Sequence, residues 1–291
     1  RLCRSPPTPA AMRRLSAAPG PRAPALRTSR PPRHAPLQRT RAVGDDADYA
    51  ALRGVTVCRP GDPTPVDLLS TFKAGPADRT VLVLLTHCAD LAPQELIPKL
   101  VARSPAWAAA GVQLRMVALG SASNVAVLKD VLRVPDGLLF ADGAGAAHAA
   151  LGLSRGYDPQ LPVKINPYVR LTAMLAGVGS PGTMGEVFRG YRGDKSAPQI
   201  FATGPFDVLG TGFQRPMELA TVRLNSMVTS LTRWKELAPP DDALLTWLGG
   251  ARVFGGRTTL LAHDDPGILK TVDVDEVERV VAARKELTEG R

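Results

Sequence analysis

The sequence predicts an α/β fold of three layers, in which helices cover a central mixed sheet. One observation is the pattern of residues 81–119, where two apolar runs flank a helical segment. This order is typical of a parallel strand, a crossover helix and a second strand. The other observation is the turn Gly255, Gly256 and Arg257 between two alternating segments, which indicates an antiparallel hairpin. Parallel and antiparallel pairing together predict a mixed sheet.

The elements of the first half follow from turn signals and apolar periodicity. Prolines in residues 59–65 predict a turn, and residues 66–72 predict either a second strand or a short helix. The uniformly apolar strands are of the kind that is buried on both faces. In chain order the other predicted elements are a strand at 53–58, a strand at 81–86, a helix at 91–110, a strand at 112–119, a helix at 123–134, a strand at 137–141 and a helix at 144–151.

The second half starts with a long interval at about residues 152–215, whose glycines and prolines predict an ordered but irregular loop inserted into the fold. Residues 216–237 predict an extra helix that covers one sheet face, because Leu219, Met227 and Leu231 fall at helical spacing. The last predicted elements are hairpin strands at 251–254 and 258–262 and a helix at 273–287 capped by Asp273 or Asp275. A parallel unit followed by a hairpin and a terminal helix is the order of a thioredoxin-like fold.

The positive charge of the chain is concentrated at one end. Residues 1–43 contain ten Arg and no acid, whereas the whole chain has 36 basic and 27 acidic residues, so residues 44–291 carry a net charge of −1. An Arg-rich, Ser-containing segment without acids or an apolar core is typical of an organelle transit peptide. We predict a transit peptide or disordered basic tail at residues 1–44 and one folded domain at residues 45–291, and the prolines of the tail favour a chloroplast.

Several classes of site are disfavoured by composition and motif. No run of about 18 apolar residues exists to span a membrane, so only peripheral membrane association fits the sequence. The histidines and cysteines lack metal-ligand spacing, and we therefore predict no metal. Residues 177–182 match G-x-G-x-x-G, but no predicted strand precedes them, so we predict a structural loop and no nucleotide cofactor.

The end of the 81–86 strand contains the first candidate site. In a thioredoxin-like fold the reactive thiol lies at the N-terminus of the first crossover helix, where free N–H groups and the helix dipole lower its pKa. Here Asp90 holds that position, and we predict it to be the N-cap of the helix, with Pro93 in the first turn. Cys88 lies two residues earlier, where burial raises a thiol's pKa. We predict a structural cysteine, with an accessible reactive thiol as the alternative.

Six stretches carry a family resemblance that covers most of the chain after about residue 55. They are VLVLLTHCADLAPQEL, AAGVQLRMVALGS, LLFADGAGAAHAALGL, MLAGVGSPGTMGEVFRGYRGDKSAPQIF, GFQRPMELATVRLNSM and LGGARVFGGRTTLLAHDDPGIL. In these stretches the chain resembles the peroxiredoxin-like proteins of the alkyl hydroperoxide reductase and thiol-specific antioxidant superfamily, and in particular a chloroplast branch of plants and algae. The resemblance implies a thioredoxin-like fold and a chloroplast location.

The redox-active relatives have two cysteines that this chain lacks. Their segment is similar to R-H-F-G-C-x-x-C followed by W-E-L. When it is matched on His87 and on residues 95–96, the first family cysteine falls on Asp90 and the second on Pro93 or Ala92. Both thiols are absent, so the resemblance implies the fold and the location without the thiol chemistry.

The first functional hypothesis is a redox-degenerate chloroplast protein, on the stroma or the stromal face of the thylakoid, that acts by binding another protein. The resemblance and the location suggest an auxiliary or assembly role at a photosynthetic complex of the thylakoid. The candidate surface is residues 177–201 with two residues that follow it. Its candidate binding residues are Arg189, Tyr191, Arg192, Lys195, Phe213 and Arg215.

Two alternatives belong to other classes of function. One is a thiol peroxidase or reductase in which Cys88 attacks peroxide and Cys58 is the resolving thiol, and it requires an accessible, thiolate-rich sulfur. The other is nucleic-acid binding by the basic residues 1–43 alone. The folded domain, at a net charge of −1, offers no general field that attracts phosphates, so we predict no nucleic-acid partner.

Overall fold

The computed structural model describes residues 47–73, 75, 78–158 and 164–289. All of them lie within the second of the chain's two structural units, Arg39–Arg291. The predicted tail at residues 1–44 falls outside the described residues.

The strands of the described residues form one mixed sheet. They are β1 Thr56–Arg59, β2 Asp62–Asp67, β3 Arg79–His87, β4 Val112–Leu119, β5 Leu139–Asp142, β6 Gly250–Gly255 and β7 Thr258–Asp264. Their order across the sheet is β2-β1-β5-β4-β3-β6-β7. Strands β3, β4 and β5 pair in parallel, and the other neighbours pair antiparallel. The predicted α/β class with a mixed sheet is confirmed, and the arrangement is compatible with a thioredoxin-like fold.

Helices connect the strands and flank the sheet. They are α1 Ala47–Ala51, α2 Leu91–Ala109, α3 Ala122–Leu132, α4 Ala146–Ala150, α5 Pro167–Leu175, α6 Thr183–Arg192, α7 Glu218–Thr232, α8 Trp234–Leu237 and α9 Val274–Glu289, with short 3₁₀ turns at Leu69–Thr71, Pro205–Leu209 and Asp242–Thr246. Helix α2 connects β3 to β4, and α3 connects β4 to β5. These two crossovers build the parallel part of the sheet.

Side chains of β3 alternate between two apolar cores, one on each face of the sheet. Val81, Val83 and Leu85 pack with residues of α2, α3 and α9. Leu82 and Leu84 pack on the opposite face with residues of α1 and α4. Both faces are therefore covered, which explains why residues 81–85 of the strand are all apolar.

The second strand begins earlier than the proline signal predicts. Pro63 and Pro65 lie inside β2 rather than in a turn. β2 is an edge strand that pairs with β1 alone, so its prolines do not break hydrogen bonds to a second neighbouring strand. The turn is therefore shorter than the predicted residues 59–65.

The prediction of an irregular loop over residues 152–215 is wrong for much of that interval. Helices α5 and α6 and the 3₁₀ turn Pro205–Leu209 lie within it. Glycines lie at the two ends of α6 and do not prevent the helix from forming. Gly182 is the N-cap of α6 with φ +87°, and Gly193 is its C-cap with φ +77°. Both angles lie in the left-handed region, which glycine adopts at little cost.

The predicted orientation of the helix at residues 216–237 is also wrong. The helix breaks at Arg233 into α7 and α8, and α7 packs against α2 and α6. Leu219 is buried, but Met227 is exposed and Leu231 is 63% exposed. The apolar stripe that we expected on the sheet thus faces away from the core.

Candidate functional site

The corner between β3 and α2 is closed by Asp90. Its Oδ1 accepts a hydrogen bond from the Leu91 N–H at 2.7 Å, and its Oδ2 accepts one from the Thr86 hydroxyl at 2.7 Å. Asp90 is the N-cap of α2, as predicted. The N–H of Leu91 at the start of α2 therefore stabilises a carboxylate at the position where a cysteine in a thioredoxin-like fold would be stabilised as a thiolate.

Cys88 lies two residues before Asp90, just after the end of β3, and has no accessible surface. Its Sγ is 3.8 Å from the carbonyl oxygen of Leu119, to which the thiol donates. Burial raises the pKa of Cys88 to about 12, so the sulfur is a protonated thiol at neutral pH. The neighbouring His87 packs edge-on against Trp234, and burial lowers its pKa. The buried thiol lacks the thiolate character that nucleophilic attack needs.

Cys58, the predicted resolving cysteine, lies on β1 and is partly exposed. Its Sγ donates to the carbonyl oxygen of Pro63 at 3.3 Å, and both Cys58 and Cys88 are free thiols. Neither cysteine therefore occupies the N-cap of α2, which is Asp90.

The two cysteines should differ in alkylation. In the native chain at pH 7 to 9 we expect Cys88 to stay unlabelled by iodoacetamide, because its thiol is buried and its pKa is about 12. An unfolded Cys88 should react, since a free thiol titrates at about pH 8.5. Mass spectrometry after pulse labelling would locate the label, with Cys88→Ser as the control. Labelling of native Cys88 that rises with pH through this range would contradict the assignment.

A second pair of polar residues lies near the same end of the sheet. The Nε2 of His263 is 3.2 Å from Oδ1 of Asp265, and Asp265 is buried. Burial raises the pKa of Asp265, and the charge of Asp90 adds to that rise. The Asp265 N–H donates to the carbonyl oxygen of Gly249 at 3.1 Å. The sequence did not single out this pair, because the burial of Asp265 depends on packing that local patterns do not reveal.

The predicted binding residues on α6 are partly available. Tyr191 and Arg192 are exposed, and Lys195 is exposed just after the helix. Arg189 is half-buried and forms ion pairs with Glu186 at 2.8 Å and Asp194 at 3.5 Å. Phe213 is half-buried. An isolated antiparallel β-bridge pairs the backbones of Asp194 and Gln214, so the segments that contain Lys195 and Phe213 lie side by side.

Arg215 is not a surface residue, which corrects the prediction. Its side chain is 0% exposed and pairs with Glu218 at 2.6 Å and with Asp207. It also donates to the carbonyl oxygen of Phe201 at 2.6 Å. Burial alone raises the pKa of Glu218, but hydrogen bonds from Arg215 and from backbone N–H groups outweigh it and lower the pKa to about 2. Arg215 thus fixes the segment that leads into α7.

An exposed row of apolar side chains crosses α6 and α7. Among the described residues, every large hydrophobic side chain that is exposed lies between Tyr168 and Leu231. We define the apolar strip as Met184, Phe188, Tyr191, Met217, Leu224, Met227, Val228 and Leu231. On α6, successive members of the strip are three or four positions apart. On α7 and its N-cap, members recur at spacings of three, four or seven positions, so in each helix they lie on one side.

The two halves of the strip meet at the start of α7. The Met217 N–H donates to the carbonyl oxygen of Tyr191 at 3.1 Å, which places the end of α6 against the beginning of α7. Met217 has φ +69°, a left-handed conformation that is strained for a residue other than glycine. The fold therefore holds an exposed methionine at a conformational cost.

The inward side of α7 is polar, which explains the orientation of the strip. Arg223 forms a two-pronged ion pair with Glu95 on α2, and its Nη1 donates to the carbonyl oxygen of Glu186 on α6 at 2.6 Å. Gln94 on α2 donates to the Ser230 hydroxyl at 2.5 Å. These contacts hold the polar side inward and leave the apolar side to solvent.

Neither a scan against protein-family models nor a search of the curated proteins finds a match for this chain. Within the described ranges, no helix is both long and apolar enough to cross a bilayer. In the same part of the chain, no three or more His, Cys, Asp or Glu side chains are grouped so that they could hold a metal ion.

Proposed function

We propose that this protein is a redox-degenerate relative of the peroxiredoxin-like proteins that acts by binding a protein partner through the apolar strip. The observation that carries the proposal is the outward orientation of α7. Leu224 is 54% exposed and Leu231 is 63% exposed, while Arg223 on the other side is buried. Contiguous exposed apolar patches on folded proteins mark interaction surfaces.

The chemistry of the strip suits a protein interface. Met184, Met217 and Met227 supply flexible side chains that adapt to different partner surfaces, and Phe188 and Tyr191 supply aromatic anchors. Arg192 and Lys195 lie beside these anchors and form a charged rim. Three of the binding residues predicted from the sequence, Tyr191, Arg192 and Lys195, therefore belong to the proposed surface.

A thiol peroxidase or reductase has weaker support. Such an enzyme needs an accessible thiolate, whereas Cys88 is buried and protonated. Asp90 occupies the helix N-terminus that would activate a cysteine. We therefore propose no thiol chemistry at this corner.

For the partner, we propose a photosynthetic complex of the thylakoid, with the protein as an auxiliary or assembly factor in the stroma or on the stromal face of the membrane. The support for this part is the resemblance to the chloroplast branch and the Arg-rich, acid-free composition of residues 1–43. In this proposal the apolar strip is the contact surface, and the partner is one of the protein complexes of the chloroplast.

Native gel electrophoresis of the protein from its plastid tests the proposal. We expect the wild-type protein to migrate in a large complex and the double variant Leu224→Asp/Val228→Asp to migrate as a monomer. The matched control is Asn225→Asp/Thr232→Asp, which adds the same charge to exposed positions of α7 outside the strip and should keep the complex. Wild-type protein that migrates alone, or a strip variant that stays in the complex, would count against the proposal.

Met217→Gly separates binding from stability. Glycine relieves the left-handed strain at φ +69°, so we expect the free energy of unfolding to rise by about 1 kcal/mol. The same change removes an exposed side chain of the strip, so the complex should weaken. Thermal unfolding and native electrophoresis measure the two effects. A variant that is more stable and equally well assembled would exclude Met217 from the interface.

A further inference from the structure

We infer that the apolar strip also docks on the surface of an anionic lipid bilayer. This inference rests on the proposed function because it uses the same strip, and it names a second ligand chemistry for it. The strip would lie in the plane of the bilayer, with its apolar side chains at the boundary between headgroups and acyl chains.

The charge of the chain is divided in a way that complements an anionic surface. Residues 164–237, which contain the strip, have nine basic and five acidic side chains, a net charge of +4. Residues 44–163 and 238–291 together have 17 basic and 22 acidic side chains, a net charge of −5. An anionic bilayer attracts the first part and repels the second, so the field orients the strip toward the lipid.

The basic groups beside the strip are available, whereas its acids are not. Each of the five acids forms an ion pair with an arginine of the same segment; they are Glu186, Asp194, Asp207, Glu218 and Glu236. Arg192 and Lys195 are exposed and form no ion pair with any residue that the structure describes. The unpaired charge next to Tyr191 is therefore positive, as contact with phosphate headgroups requires.

The composition of the strip also fits a bilayer. Its apolar side chains are exposed on α6, at the start of α7 and along α7. Phe188 and Tyr191 are aromatic, and Tyr168 lies exposed on the neighbouring α5. Exposed aromatic and apolar residues beside Arg and Lys are the pattern of helices that lie at the membrane surface.

Two other occupants are disfavoured by charge. A second copy of the chain would bring a segment of net charge +4 against another of +4. Residues 1–43, with ten Arg and no acid, would meet the same repulsion. A protein groove with an acidic rim has the same complementarity as a lipid surface, and the experiment separates these two.

Binding must be read at the strip, because the Arg-rich residues 1–43 alone attract the full chain to anionic vesicles. We would introduce Phe188→Trp into the full chain and add vesicles of brominated phosphatidylglycerol, which quench tryptophan emission on contact. We expect quenching of the emission added by Phe188→Trp. The control, Ala109→Trp at the far end of α2, should stay unquenched. Zwitterionic vesicles should quench neither variant.

Further substitutions in the Phe188→Trp chain separate the apolar and basic contributions. Leu224→Asp/Val228→Asp should weaken the quenching interaction at least about tenfold more than the control Asn225→Asp/Thr232→Asp. Arg192→Gln/Lys195→Gln should weaken it about tenfold, whereas Lys73→Gln/Lys99→Gln, which removes equal charge elsewhere, should have less effect.

The outcomes distinguish this inference from the proposed function. Quenching of Phe188→Trp no greater than that of Ala109→Trp overturns the bilayer inference, and so does equal binding of the strip variant and its control. If the strip variant still loses the plastid complex in that case, the strip is a protein interface and the proposed function stands. If the strip variant keeps the complex as well, both are overturned.

Discussion

Replacing Arg223 by methionine is expected to lower the free energy of unfolding by about 3 kcal/mol, because it leaves the Glu95 carboxylate nearly buried without its partner. The Arg223 and Glu95 side chains are 9% and 12% exposed. The change also removes the hydrogen bond to the Glu186 carbonyl oxygen, which joins α7 to α6. Urea unfolding would measure the loss, and amide hydrogen exchange should rise most in α7.

The double variant Arg223→Met/Glu95→Met is the control for this prediction. When both charges of a nearly buried pair are replaced by apolar side chains of similar size, most of the loss should be recovered. A double-mutant cycle would then give a coupling energy of about 2 kcal/mol between the two positions. If Arg223→Met changes stability by less than about 0.5 kcal/mol, as surface substitutions do, the polar side of α7 does not face the core.

Gly193→Ala is expected to cost at least about 2 kcal/mol of stability, because the new methyl group meets backbone atoms that have no room to move. A Cβ at this position would lie 2.5 Å from the Gln214 carbonyl oxygen and 2.7 Å from both the Arg215 carbonyl carbon and the Pro216 nitrogen. The positive φ of +77° adds backbone strain. Since this segment leads from α6 to α7, the junction of the apolar strip should loosen too.

Gly185→Ala is the matched control for this steric prediction. Gly185 lies inside α6, and a Cβ there would have no neighbour within 4 Å. Alanine at this position should raise stability by about 0.5–1 kcal/mol, because glycine is a poor helix former. Thermal unfolding of the two variants should therefore give shifts of opposite sign. Two shifts of the same sign would contradict the packing at Gly193.

The parts of the fold that depend on local patterns were predictable. The strand β4 has the bounds that the apolar run predicts, and the turn at residues 255–257 joins β6 to β7 as its glycines indicate. The cap at Asp90 also follows from neighbours in sequence, because its carboxylate bonds to Leu91 and Thr86. In each case the deciding contacts lie within a few residues or repeat along one element.

The orientation of α7 was not predictable from its sequence. Periodicity identifies an apolar side of a helix but does not say whether that side meets the core. Here the deciding contact is between Arg223 and Glu95, which are 128 positions apart. The buried pair of Arg215 and Glu218 was missed for a different reason. Charged residues are seldom buried, so Arg215 was expected at the surface.

The candidate site was therefore predicted in part. The corner between β3 and α2 was located from the sequence, and its cap at Asp90 was assigned correctly. Tyr191 and Arg192 are exposed, as the prediction of a surface segment requires, whereas the exposed apolar side of α7 was expected to cover the sheet. The helices of residues 152–215 were missed because Gly182 and Gly193 cap a helix, whereas we took their pattern for a loop.

Methionine oxidation tests the central claim, the outward orientation of the apolar strip, most directly. Met184, Met217 and Met227 are exposed, whereas Met116 and Met174 have no accessible surface. Dilute hydrogen peroxide followed by peptide mass spectrometry compares these five methionines in one native sample. We expect the three strip methionines to oxidise at the rate of free methionine, and the two core methionines to react only after unfolding. Protection of Met227 at the level of Met116 would show that this side of α7 is buried, and would contradict the account.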